Sequence, residues 1–235
     1  MNNTKTNFKI RKEEIEEYFA LIKVLNNDDI SLEYTRLNGG ISEKFCFSTK
    51  LKAIIRANAF LLLYNLMEST IRNSILEIYI KIKEERVGYE DLSNEIKKIW
   101  LKKKRNIIGF QDKDKSVDSL KEVINAIIDK EIIELTEGDI NISGSIDAKK
   151  IRILSRKIGF TSPPNGSILE GVKHKRNHLA HGDQTFYHIG KSATYNDLNK
   201  QKESIFKYLE KVVEQIEVFI IEEKYKKTHL NAALL

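Results

Sequence analysis

Residues 48–85 read STKLKAIIRANAFLLLYNLMESTIRNSILEIYIKIKEE. No glycine or proline interrupts this stretch, and its apolar positions recur at helical spacing. The first half is apolar nearly all round, as expected of a helix enclosed by several neighbours. The longest near-apolar run, Ala57 to Met67, is bounded by Arg56 and Glu68 and contains two asparagines. A membrane-spanning helix needs about 20 apolar residues. The stretch therefore predicts a core helix, single or a kinked pair.

The rest of the chain repeats this pattern. Glycine and proline together make 13 of 235 residues, under half of average usage, which leaves little turn chemistry for many short strands. An amphipathic helix is expected over about Arg11 to Asn26, with Ile15, Phe19, Ile22 and Leu25 on one face. Asn38-Gly39-Gly40 marks a turn. A third helix covers roughly Asp91 to Lys104, and Gly109 to Ser116 reads as a loop. Helix returns from about Val117 to Leu135 on a stripe of Leu120, Ile124, Ile127, Ile128 and Ile132. Gly138 to Gly144 reads as a surface loop. Asp147 caps a short helix ending near Gly159.

Pro163-Pro164-Asn165-Gly166 is the sharpest break in the chain. Ser167 with Glu170 forms a capping box, so a helix is expected from Ile168 to His181, stopped by Gly182. A loop through Gly190 follows. Thr194 then caps a last helix striped by Leu198, Ile205, Leu209, Val212, Ile216 and Phe219. That stripe suits a core or a dimer interface. The expected fold class is an all-α helical bundle.

A single cysteine, Cys46, allows no intramolecular disulfide and no cysteine-based metal site. The first residues, MNNTKTNFKIRKEE, carry no apolar stretch of the kind an export signal needs. A cytoplasmic protein without a membrane segment is expected. The formal charge of +6 lowers the cost of approaching a polyanion and equally serves solubility.

Chemistry concentrates in Leu169-Glu170-Gly171-Val172-Lys173-His174-Lys175-Arg176-Asn177-His178-Leu179-Ala180-His181-Gly182, where three of the five histidines fall within eight residues. Asn177 and His181 are four apart on one helix face, so the amide can orient the imidazole. Arg176 lies five before His181, roughly 140° round the helix. Two copies facing each other across a symmetric dimer would place both arginines and both histidines in one cleft. These residue types suit phosphodiester chemistry. Histidine, which ordinarily titrates near about 6.5, can take a proton from an RNA 2′-hydroxyl or give one to the leaving 5′-oxygen. Arginine holds the non-bridging oxygens and stabilises the transition-state charge. Neither a protein nucleophile nor a metal is required, and the products would be a 2′,3′-cyclic phosphate and a 5′-hydroxyl.

The segment KRNHLAHG resembles the Arg-x4-His signature of the HEPN superfamily, in which a polar residue follows the arginine. FLLLYNLMESTIRNSILEIY is similar to the family's early core helix. IDAKKIRILSRKIGF, the RNHLAHG segment and the Tyr195–Tyr225 helix follow in matching order. The likeness is strongest to the stand-alone nucleases of bacterial defence and toxin systems. It implies a helical bundle over residues 48–235, with residues 1–47 forming an N-terminal helix and connecting loop packed on it. It also implies metal-independent RNA cleavage by a homodimer with no cofactor, Arg176 and His181 as catalytic residues and Asn177 as the orienting one. The substrate would be RNA, tRNA included. The expected role is a growth-arresting effector in phage defence, abortive infection or a toxin–antitoxin pair, with an antitoxin or defence-system protein as partner. One toxin branch carries a modifiable tyrosine two residues after the histidine; here Asp183 stands in that place.

Other readings use the same residues. His174, His178 and His181 have a spacing that could present imidazoles to zinc, although Lys175 and Arg176 would repel a cation. His178 suits RNA contact or a satisfied interface. Glu68 suits an ion pair with Arg72, or a contact to the site's arginine or histidine. Lys97, Lys98, Lys102, Lys103, Lys104 and Arg105 surround Trp100, either as a track for an RNA backbone with a base stacked on the indole or as a solvated helix end. Lys173 and Lys175 would add contacts to RNA. The alternative function is a catalytically silent HEPN module that binds RNA, nucleotide or a partner protein. A simple helical interaction domain is a third reading.

Overall fold

The structure, a computed structural model, describes residues 1–27, 30–35, 42–108, 113–139, 142 and 146–227. The chain runs α1 (Asn2–Leu25), β1 (Ser31–Thr35), β2 (Ser42–Cys46), α2 (Thr49–Glu84), α3 (Asn94–Ile108), α4 (Lys113–Ile128), α5 (Ala148–Ile158), α6 (Ser167–His181), α7 (Phe186–Lys191) and α8 (Tyr195–Ile221). The architecture is helical. The 36-residue α2 is one continuous helical element.

Two compact units divide the chain, one built from Met1–Lys5, Glu68–Asn165 and Leu209–Leu235, the other from Thr6–Met67 and Gly166–Tyr208. In the first, the apolar side chains Ile71, Ile75, Ile78 and Ile82 of α2 are fully buried, as are Ile96 of α3, Ile151 and Ile158 of α5, and Val212 and Ile216 of α8. Asp147 caps α5 by accepting from the Lys150 amide, and Gly159 closes it in the left-handed region at φ 103°. Gly159 lies close enough to Phe219 that an added Cβ would meet the ring at 3.5 Å.

The second unit holds α1 from Thr6 onward, the hairpin, the first half of α2, α6, α7 and the start of α8. Phe8, Ile15, Phe19, Ile22 and Leu25 of α1 are buried. Tyr18 donates to the Ile55 carbonyl at 2.7 Å, which ties α1 to α2. The Lys202 ammonium, almost fully buried, pairs with Glu16 at 2.5 Å and lies over the Phe19 ring. This fixes α8 to α1. Gly190 lets α7 lie directly on α2: a Cβ there would sit 1.8 Å from the Ala53 carbonyl oxygen, and Arg56 donates to the Gly190 carbonyl.

Several boundaries differ from the sequence reading, each for a local reason. The first helix begins at Asn2, because Thr4 donates its amide and hydroxyl to Glu77 and Lys5 pairs with Glu217. These distant groups complete a helix start that local spacing does not reveal. Residues 31–35 and 42–46 form an antiparallel hairpin with Leu32 opposite Phe45 and Tyr34 opposite Glu43. The Asn38-Gly39-Gly40 turn lies outside the described residues.

Residues 113–116 of the expected loop are helical backbone, and 109–112 lie outside the described residues. The helix expected to reach Leu135 stops at Ile128. Lys130 adopts a left-handed conformation, φ 51°, and the Glu131 amide closes onto the Ala126 carbonyl. The stripe of α4 is not core: Val117, Leu120, Ile124 and Ile128 are exposed, Leu120 by 61%. Of the expected Gly138–Gly144 loop, 137–139 is a short 3-10 turn, and most of the remainder lies outside the described residues.

The capping box at Ser167 is not formed. Gly166, at φ 93°, is the N-cap, and no side chain caps the helix. Asn165 and Gly166 are both left-handed, so the chain enters α6 one residue early and Ser167 becomes its first residue. Glu170 is released to approach His174 at 3.7 Å. The loop expected up to Gly190 contains α7, because Thr185 accepts from the His188 amide. Thr194 does cap α8, accepting from the Asp197 amide, and its stripe from Leu198 to Phe219 is buried.

Candidate active site

The site is built on α6. Leu169, Val172 and Leu179 fasten it inward, and Arg176 shares that face by helical period. An arginine on a buried face must be satisfied. Its guanidinium lies over the ring of Tyr64, a fully buried side chain of α2, at 3.7 Å from the centroid. One Nη donates to the Asn177 Oδ1 at 3.0 Å. A planar cation stacked on one face and bonded at one edge is pre-organised.

Asn177 therefore orients the arginine, where the sequence pattern suggested the imidazole. His181 is exposed at the last residue of α6, and among the described residues nothing hydrogen-bonds it. Gly182, left-handed at φ 76°, ends the helix as expected. The chain then folds back: the Gln184 amide donates to the His178 carbonyl at 3.4 Å. That turn brings an Asp183 carboxylate oxygen to the His178 Nδ1 at 3.3 Å. His174 is turned toward Glu170.

Lys175 is half-buried, with its ammonium 4.4 Å from the centroid of Phe60. Burial lowers its pKa, opposed by the charge of Asp197. Lys173 is partly buried on the same helix, and Glu68 partly buried on α2. Arg72 reaches Glu137 at 3.8 Å.

The basic end of α3 belongs to the other unit. Trp100 is buried, packed at 5.2 Å from Tyr89 with Lys104 over its ring, so the indole offers no face to a base. Lys103 bonds the Glu134 carbonyl and pairs with Asp139 at 3.2 Å. Lys97 bonds the Glu90 carbonyl. Lys102 is exposed, and the side chain of Arg105 lies outside the described residues.

Among the described residues no three His, Cys, Asp or Glu side chains are grouped to hold a metal ion, and no helix is long and apolar enough to cross a membrane. Sequence reasoning missed Tyr64 and the partnership of Asp183. Tyr64 sat inside an apolar run, where its one signal was a hydroxyl-bearing ring among aliphatic neighbours. Asp183 stood just past a helix-ending glycine, a place from which a side chain can turn back.

A family model described as HEPN_MAE_28990:/-like HEPN matches residues 2–225. No curated protein and no solved structure matches significantly.

Proposed function

We propose, since the chain belongs to the HEPN_MAE_28990-like HEPN family, that it is a metal-independent endoribonuclease whose chemistry is carried by Arg176 and His181. The observation that carries this reading is the contrast between the two side chains. The arginine is held by a buried tyrosine and an asparagine, while the imidazole is left open at an exposed helix end. A held cation suits the binding and neutralisation of a phosphodiester. An open imidazole suits proton transfer.

The two groups point roughly 140° apart on one helix. A homodimer in which the α6 ends face each other supplies both to one phosphate. The RNA 2′-hydroxyl loses its proton to one imidazole and its oxygen attacks phosphorus. The bond to the 5′-oxygen breaks, and that oxygen takes a proton from the other imidazole. The products are a 2′,3′-cyclic phosphate and a 5′-hydroxyl. DNA lacks the nucleophile and is not cut. An effector role in phage defence or a toxin pair follows from the family resemblance.

The test is incubation of the purified protein with total RNA and tRNA in EDTA, beside His181→Ala and Arg176→Ala, with analysis of the ends produced. Cleavage by the unmutated chain alone, leaving cyclic phosphate, supports the reading. Cleavage that survives both substitutions sinks it. A folded protein that binds RNA without cutting it would favour the silent binding module instead.

A further inference from the structure

The end of α6 carries a second imidazole that the Arg176–His181 reading does not use. His178 lies one turn before His181, at the i, i+3 spacing that sets Cβ atoms about 5–6 Å apart. Its environment is built and not merely open. Gly182 takes the left-handed conformation, the Gln184 amide closes on the carbonyl of His178 itself, and Asp183 is thereby carried back to the His178 Nδ1 at 3.3 Å. A carboxylate only accepts, so Nδ1 must carry the proton. In the neutral ring Nε2 is then the lone-pair nitrogen. Among the described residues nothing occupies that Nε2.

We infer that His178, in place of a second His181, is the general base of the cleavage, that Asp183 is its positioning residue, and that one α6 therefore carries both proton-transfer groups. This rests on the ribonuclease reading above. The 2′-hydroxyl proton passes to the His178 Nε2 as the 2′-oxygen bonds phosphorus. The bond from phosphorus to the 5′-oxygen breaks, and the protonated His181 delivers its proton to that oxygen. His178 ends protonated and His181 neutral, and exchange with water restores both. The tautomer is fixed before RNA arrives, as in other sites where a carboxylate holds one ring nitrogen so that the other can act.

The arrangement explains the turn after the helix. An alanine at position 182 would meet no atom within 4 Å, so space does not demand glycine there. The positive φ does, and that φ aims Asp183 at the imidazole.

The test uses the full chain with tRNA in EDTA, together with imidazole 15N NMR of the free protein. His178→Ala should lower kcat at least about 100-fold, the lower end of a general base's contribution, with KM changed less than about twofold and circular dichroism unchanged. Asp183→Asn should lower kcat about tenfold, and Asp183→Glu should recover most of it. Without RNA, the His178 ring should show the Nδ1-protonated tautomer and lose that preference in Asp183→Asn. If His178→Ala cuts normally while His181→Ala does not, this inference falls and the ribonuclease reading stands. A tautomer indifferent to Asp183→Asn overturns the positioning role. No cutting by the unmutated chain overturns both readings.

Discussion

The end of α3 and the end of α6 are both basic, both carry a conspicuous ring, and read alike in sequence. In the folded chain they part. On α3, Lys103 is held by Asp139 and the Glu134 carbonyl, Lys97 by the Glu90 carbonyl, and Trp100 is turned inward. On α6, the arginine lies over an aromatic face and donates to a neutral amide. Among the described residues nothing bonds the imidazole of His181. A basic group laid on a ring and an amide is presented differently from one tied to a carboxylate or a carbonyl.

That contrast can be broken by experiments in which one region loses stability and the other loses chemistry. The largest effect is expected at Trp100→Ala. Emptying a buried indole site costs about 3–5 kcal/mol, read as a fall in thermal midpoint, while the folded fraction cuts RNA at the normal rate. A rate defect per folded molecule would mean that the α3 end takes part in catalysis after all.

Arg176→Ala should behave in the opposite sense. Loss of a transition-state anion contact lowers kcat/KM by about 10²–10³, and release of the stacked guanidinium changes stability by about 0.5–1 kcal/mol. Steady-state cleavage beside thermal melting separates the two numbers. A large melting shift with little rate change would reassign the arginine to scaffold.

Lys103→Met keeps the length and removes the charge. It should destabilise by about 1 kcal/mol, because Asp139 loses an ionic partner, and leave cleavage untouched. A lowered RNA affinity would revive the nucleic-acid track on α3.

The smallest effect concerns Glu85, which Lys226 and then Tyr225 hold by hydrogen bonds, lowering its pKa from the ordinary 4.5 to about 2. Its stabilisation is complete above about pH 4.5 and is lost as the pH falls through about 2. Glu85→Gln should therefore melt lower than the unmutated chain near pH 7, by less than about 1 kcal/mol for so exposed a pair. The gap should close in acid. A gap that persists at low pH would mean that the carboxylate charge is not what Lys226 and Tyr225 stabilise.

Where a residue and its partner are close in sequence, the chain was legible. The Asp147 and Thr194 caps each bond an amide three residues on, and Gly159 and Gly182 end their helices in the left-handed conformation that glycine adopts without strain. The buried stripe of α8 and the breaker-free α2 were legible for a similar reason, since periodicity is a local property. The Ser167 box failed even at short range, because Asn165 and Gly166 offered a competing left-handed entry that pattern matching does not weigh. The stripe on α4 was seen, and much of it is exposed. Periodicity marks a face and does not say what covers it.

By itself, then, the sequence determined that the chain is helical, where several helices start or stop, and that three histidines, two lysines and an arginine crowd between Lys173 and His181. Those follow from hydrogen bonds and side-chain periods that span a few residues. Tertiary structure alone decided that Tyr64 supports Arg176, that Asn177 bonds the arginine, and that Lys103 and Lys104 of α3 are tied into ion pairs. It also decided that Asp183 turns back to His178. The first and third depend on which distant side chains are brought within about 4 Å, the range at which charge and ring contacts act, and the second on the rotamers that two adjacent side chains adopt. The last depends on a left-handed φ whose direction is set in space. A helical period specifies which residues share a face. It carries no information about what that face will meet.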